Sequence, residues 1–127
     1  QGALAIEIAT DAVIDPAFDT ALAGIEDLGA RLEATAERAL LATLEAGCAS
    51  PIGALATYRN GQLALDAVVA AMDGTKTIRR QATTTLEAAA ITDATVGAAY
   101  DLGVEVANMM LADGADLLPP GPARGTR

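Results

Sequence analysis

The chain contains no histidine, no tryptophan and a single cysteine, Cys48. Without histidine there is no imidazole to serve as a base near neutral pH, to activate the thiol or to share a metal with it. A lone cysteine cannot staple a fold, and it fits a reducing, cytoplasmic compartment better than a disulfide framework. Aromatic residues are only 2% of the chain (Phe18, Tyr58, Tyr100). The core must therefore be built from small aliphatics, with little material for stacking on bases or sugars. Basic residues are also scarce: eight Lys and Arg stand against seventeen Asp and Glu, for a net charge of −9. A phosphate backbone needs a basic face, so this balance argues against a nucleic-acid partner. The longest apolar stretches, 63–72 and 96–112, are interrupted by Asp66, Asp101 and Glu105. Neither supplies the roughly 20 uncharged residues of a membrane span. No signal-peptide pattern opens the chain.

What is present is one domain's worth of chain, 127 residues with 52% hydrophobic content, enough for a real core but not for two. It begins without Met, directly in the strand-like run Gly2-Ala3-Leu4-Ala5-Ile6-Glu7-Ile8, as expected of a cut through a larger protein. The sheet of that run is expected to lie in a preceding domain, so that residues 1 to about 9 fray, pack irregularly or pair with another chain. Asp15-Pro16 signals a helix start, because Asp caps free amides and Pro suits the first helical position. That helix is expected to end near Gly24. A second helix is expected over 27–46, with Leu32, Ala36, Leu40 and Leu44 forming one apolar stripe and Glu33 and Glu37 lying off it. Gly47 is its expected stop.

The period then changes. Residues 54–59, Asn60-Gly61 and 62–71 predict a hairpin, since Asn-Gly tolerates positive φ at both turn positions. Leu63, Leu65, Ala67 and Val69 alternate with Ala64, Asp66 and Val68, as in a half-buried strand. Asp73-Gly74 predicts a second turn, and 75–83 a third strand with Ile78 inward. A long helix is expected over 92–113, carrying Val96, Ala99, Leu102, Val106, Met109 and Met110 and stopped by Gly114. Gly97 and Gly103 each weaken it by about 1 kcal/mol relative to Ala, so close packing is expected to compensate. Residues 119–127, rich in Pro and Gly, predict a disordered tail. The sum is an α+β domain, a three-stranded antiparallel sheet with helices packed on one face.

The surroundings of the cysteine carry a resemblance. The helix run Ala36-Glu37-Arg38-Ala39, then Leu44-Glu45-Ala46-Gly47-Cys48 and Pro51-Ile52-Gly53-Ala54, is similar to the porphobilinogen deaminase (hydroxymethylbilane synthase) family. Gln1-Gly2-Ala3-Leu4-Ala5-Ile6-Glu7, Asp73-Gly74 with Ile78-Arg79, and Leu102-Gly103-Val104-Glu105-Val106-Ala107 with Leu117-Leu118 agree in order and spacing. The resemblance covers residues 1 to about 118. It implies the C-terminal part of a three-domain transferase of tetrapyrrole biosynthesis. Residues 1–24 would return from a preceding domain, and 25–118 would form the cofactor-carrying domain.

In that family the loop cysteine holds a dipyrromethane through a thioether, which implies the same for Cys48. The group primes addition of four porphobilinogen units, each losing ammonia, before hydrolysis releases hydroxymethylbilane. The implied partners are porphobilinogen, the growing polypyrrole chain and the preceding domains, with no nucleic acid and no membrane. Cys48 follows a helix C-terminus, whose partial negative charge disfavours a thiolate. Reactivity of the electrophile, rather than an activated thiol, is then expected to drive attachment. Gln1 and Gly2 match family positions beside the cofactor.

Arg38 matches the family's helix arginine and could pair with a pyrrole acetate or propionate. Its alternative is a solvated surface charge, because Ala34, Thr35, Leu41 and Ala42 offer it no acidic neighbour. Arg79 and Arg80 are expected to be solvated edge charges, and Asp101 and Glu105 a wet helix face. With so few basic residues, the chain alone is expected to lack both catalysis and the cofactor. The alternative to this family reading is a small acidic interaction module with a packed structural cysteine.

Overall fold

The computed structural model describes residues 3–12, 15–45, 51–71, 73–86 and 90–114. Their element order is α1 (Pro16–Ile25), α2 (Leu28–Thr43), β1 (Ile52–Arg59), β2 (Gln62–Ala70), β3 (Thr77–Thr85) and α3 (Asp93–Gly114). The expected tail at 119–127 lies outside the described residues.

Local chemistry sets most boundaries. Asp15 Oδ1 accepts from Ala17 N at 2.7 Å, with Pro16 opening α1. Asp27 Oδ1 accepts from Ala30 N at 2.7 Å and starts α2. Asn60 and Gly61 take φ values of 52° and 75°, the doubly positive turn whose twist suits a two-residue hairpin. Arg59 accordingly faces Gln62, and β1–β2–β3 form an antiparallel meander. Thr92 and Thr95 exchange backbone-to-hydroxyl bonds of 2.9 and 3.2 Å across the first turn of α3.

Helices α2 and α3 lie on one face of the sheet and pack on each other. Leu32, Ala36, Leu40 and Leu44 of α2 are all buried, as the stripe predicts. They meet Ala56, Leu63, Leu65, Ala67 and Val69 of the sheet and Ala99, Leu102, Val106, Ala107 and Met110 of α3. The opposite sheet face is open, with Leu55 and Val68 exposed. The architecture is the expected α+β one. No described helix is long and apolar enough to cross a membrane.

Residues 3–9 form no strand, and Leu4, Ile6 and Ile8 are exposed, in line with an alternating run that finds no sheet edge to accept it. Several other expectations are corrected. Helix α1 buries no residue and leaves Phe18 and Ile25 in the open. Helix α2 stops at Thr43 instead of continuing to 46. Leu44 N bonds to Leu40 O, and Glu45 takes the left-handed φ of 51° ahead of Gly47, which lies outside the described residues. β3 starts at Thr77, because Asp73 Oδ1 binds Thr75 N (3.0 Å) and Thr75 Oγ1 (2.7 Å) and holds the turn longer. Met109 is exposed, since Val106 and Met110 already occupy the buried face of α3.

The two glycines of α3 differ. A Cβ on Gly103 would stand 2.3 Å from Ala36 O, 2.7 Å from Ala39 Cβ and 3.0 Å from Leu40 N, whereas one on Gly97 would meet nothing within 4 Å. Gly103→Ala should therefore force α2 and α3 apart and destabilise the domain by about 1–3 kcal/mol. Gly97→Ala should stabilise it by up to about 1 kcal/mol through helix propensity. Urea denaturation of both variants checks the opposite signs.

Candidate functional site between α2 and the edge of β1

β1 is an edge strand. Ala70 N bonds to Pro51 O, and with the β1–β2 register this turns the backbone groups of Ile52, Ala54, Ala56 and Tyr58 away from β2. Two of those outward amides are taken by carboxylates of α2. Ala56 N donates to Glu37 Oε1 at 2.9 Å, and Tyr58 N donates to Glu33 Oε1 at 2.8 Å. The match is geometric. Residues four apart on a helix rise about 6.0 Å, and residues two apart on a strand advance about 6.6 Å. Residue number rises along α2 as it falls along β1, so helix and strand run antiparallel. Glu37 is 9% exposed, and the bond it accepts offsets the cost of burying a polar group. One helical turn further on stands Leu41, which has no acceptor to offer Ala54.

A groove of about 400 Å³ opens beside this seam. Its walls include Ala34, Glu33, Glu37 and Arg38 of α2, Ala54 and Leu55 of β1, and Ala3 from the N-terminal stretch. Arg38 is exposed. The carboxylates sharing its groove are each engaged by a backbone amide.

Of the expected site residues, the structure thus places Arg38. Cys48, Gln1 and Gly2 lie outside the described residues. Their chain neighbours are described. Ala3, next to Gly2, and Ala54, on the strand that follows Cys48, line the same groove as Arg38. Cys48 itself falls midway in sequence between Leu44, which caps α2, and Ile52, which opens β1. Glu33 and Glu37 were legible only as residues off the apolar stripe. The usable signal was their four-residue spacing on the helix that directly precedes an edge strand.

Among the described residues, three of the five cations other than Arg38 are committed. Arg31 forms a two-pronged pair with Glu26 at 2.7 and 3.1 Å. Arg79 pairs in the same way with Asp66 across the open sheet face, its Nε 2.8 Å from Oδ1. Arg80 pairs with Asp113 in the last turn of α3. Arg79 is therefore exposed but paired, and Arg80 is half-buried and paired, a correction to their expectation as solvated charges. Asp101 and Glu105 are exposed, as expected. Among the described residues, no group of three or more His, Cys, Asp or Glu is placed to hold a metal.

The fold and seam define a small α+β domain whose sheet is backed by two helices and whose first strand is sealed from one of them. The chain belongs to the porphobilinogen deaminase family: the family model described as porphobilinogen deaminase, C-terminal domain, matches residues 31–112. Curated relatives called porphobilinogen deaminase agree. The protein of Cutibacterium acnes is 46% identical over 134 residues, covering 98% of this chain and 40% of that protein. That of Micrococcus luteus is 40% identical over 155 residues, covering 98% and 41%. That of Thermobifida fusca is 40% identical over 126 residues, covering 98% and 38%. The chain therefore spans about two fifths of the length of these relatives.

The surface pairs generate a pH prediction. The hydrogen bond from Arg79 holds the Asp66 carboxyl below its usual range, and that from Arg31 does the same for Glu26. A carboxyl whose pKa is lowered by folding stabilises the fold above its unfolded pKa and loses that contribution as pH falls through the folded one. Thermal stability should therefore be flat above about pH 5 and decline below about pH 4. Asp66→Asn should flatten part of that decline, and melting curves across the acid range at low salt check it.

Proposed function

We propose that the chain is the cofactor-carrying C-terminal part of a transferase that joins four porphobilinogen units into hydroxymethylbilane with release of ammonia. In this reading Cys48 holds a dipyrromethane primer through a thioether, while Gln1, Gly2 and Arg38 flank it. Family membership over residues 31–112 supports the assignment. The observation that carries it into the structure is the convergence of Ala3, Arg38 and Ala54 on one groove. The chain neighbours of Gln1-Gly2, the helix before Cys48 and the strand after it meet there.

The residues present fit such a group in kind. A soft sulfur forms a thioether that water does not readily displace, which suits an anchor that must outlast each turnover. When bound, the dipyrromethane supplies the pyrrole end from which the chain grows. The planar fork of Arg38 can take one carboxylate of a pyrrole side chain. Ala34 and Ala54 keep the groove wall low.

Arg38 alone cannot hold a polycarboxylate chain. Arg31, Arg79 and Arg80 are bound to Glu26, Asp66 and Asp113, and the net charge of −9 opposes anion capture. Further cations must then come from the part of the enzyme that corresponds to the remaining length of the relatives. The chain by itself should be inactive and free of the primer.

In the whole enzyme, Cys48→Ser should leave folding intact and abolish hydroxymethylbilane formation. Intact mass should show a two-pyrrole adduct on the parent protein and none on the variant. Normal product formation by Cys48→Ser would overturn the anchor assignment. Loss of folded protein would mark Cys48 as a packed structural residue instead.

A further inference from the structure

We propose that the backbone N–H of Ala54 and the guanidinium of Arg38 together form a receptor for one carboxylate in the groove between α2 and β1. This rests on the reading of that groove as the place of a pyrrole group, whose acetate or propionate arm is the carboxylate meant. The ladder between α2 and β1 is one rung short. Outward amides of β1 recur every second residue, at Ala54, Ala56 and Tyr58, and carboxylates of α2 meet only the last two. The same helical step leads from Glu37 to Leu41, which packs against the core and holds no acceptor. Among the described residues the Ala54 N–H therefore has no hydrogen-bond partner. Ala54 is half-buried in the groove wall, where an unpaired amide is costly and a ligand oxygen can reach it.

Arg38 supplies the charge. It is exposed, lines the same groove and has no ion pair among the described residues, unlike Arg31, Arg79 and Arg80. Glu33 and Glu37 share the groove and repel an incoming anion. That repulsion is weakest at the Ala54 end, where Leu41 stands in place of a third glutamate. A carboxylate has two oxygens, so one can accept from the Ala54 amide while the other meets the guanidinium. The two donors have different tasks. Arg38 is long and mobile and attracts the anion, whereas the amide is fixed by the β1–β2 register and sets the direction in which the pyrrole arm enters.

The test titrates this chain, labelled with nitrogen-15, with propionate at constant ionic strength and with neutral propionamide as control. Before titration the Ala54 amide should exchange with solvent about tenfold faster than those of Ala56 and Tyr58. Propionate should move the Ala54 amide proton and the Arg38 Nε–H downfield together, with one saturation curve, and propionamide should move neither. Arg38→Gln, a surface change, should abolish the response at Ala54. Leu41→Glu should supply the missing rung, slow exchange at Ala54 and abolish its response to propionate. A response at Arg38 alone, none at either, or one at Ala54 that survives Arg38→Gln would overturn the receptor. In the whole enzyme, exchange at Ala54 should be slow in the parent and fast in Cys48→Ser. Slow exchange in both would assign the carboxylate to another part of the enzyme and overturn the pyrrole source. The propionate titration needs no primer, so failure of the Cys48 anchor shows separately, as product formed by Cys48→Ser.

Discussion

Helix α2 is held on three sides at once, and the rest of the domain is arranged around that. Its stripe of Leu32, Ala36, Leu40 and Leu44 fills the space over the sheet. Its back meets α3 so closely at Gly103 that the Ala36 carbonyl stands where a side chain would begin. Its flank sends Glu33 and Glu37 to the free amides of β1. Small residues permit the close approach, and charged ones lock the direction. Aromatics contribute little: Tyr58 adds a hydroxyl bond to Leu86 O at 3.3 Å, near the end of β3.

The charge balance acquires a structure from this arrangement. Two of seventeen acidic residues act as backbone acceptors along an edge strand, and three more neutralise Arg31, Arg79 and Arg80. Little positive potential remains to attract a polyanion. In the proposed reading, the chain contributes an anchor and its geometry, while the binding of a carboxylate-rich substrate falls to the remainder of the enzyme. The open apolar side chains of residues 3–25, Leu4, Ile6, Phe18 and Ile25, accord with that division.

Period and punctuation made most of the fold legible. The fourfold recurrence of leucine and alanine located α2, Asn60-Gly61 located the hairpin, and Asp15-Pro16 located α1. Boundaries drifted where a side chain outcompeted the pattern, as Asp73 did in delaying β3 and Glu45 did in taking the left-handed turn before Gly47. The alternating run at residues 3–8 forms no strand, because alternation expresses only a preference for a sheet edge.

The sequence by itself determined the element types and the buried faces of α2 and the strands, because these follow from local periodicity and turn chemistry within a few residues. It also carried the family, through an ordered set of short motifs. Only the tertiary structure decided that Glu33 and Glu37 bind an edge strand, that Arg79 and Arg80 are paired, and that Gly103 but not Gly97 is held by contact. Each of those depends on what a distant segment places opposite. A carboxylate off the apolar stripe has the same local pattern whether it meets water or an unpaired amide, and only the folded chain brings the amide to it.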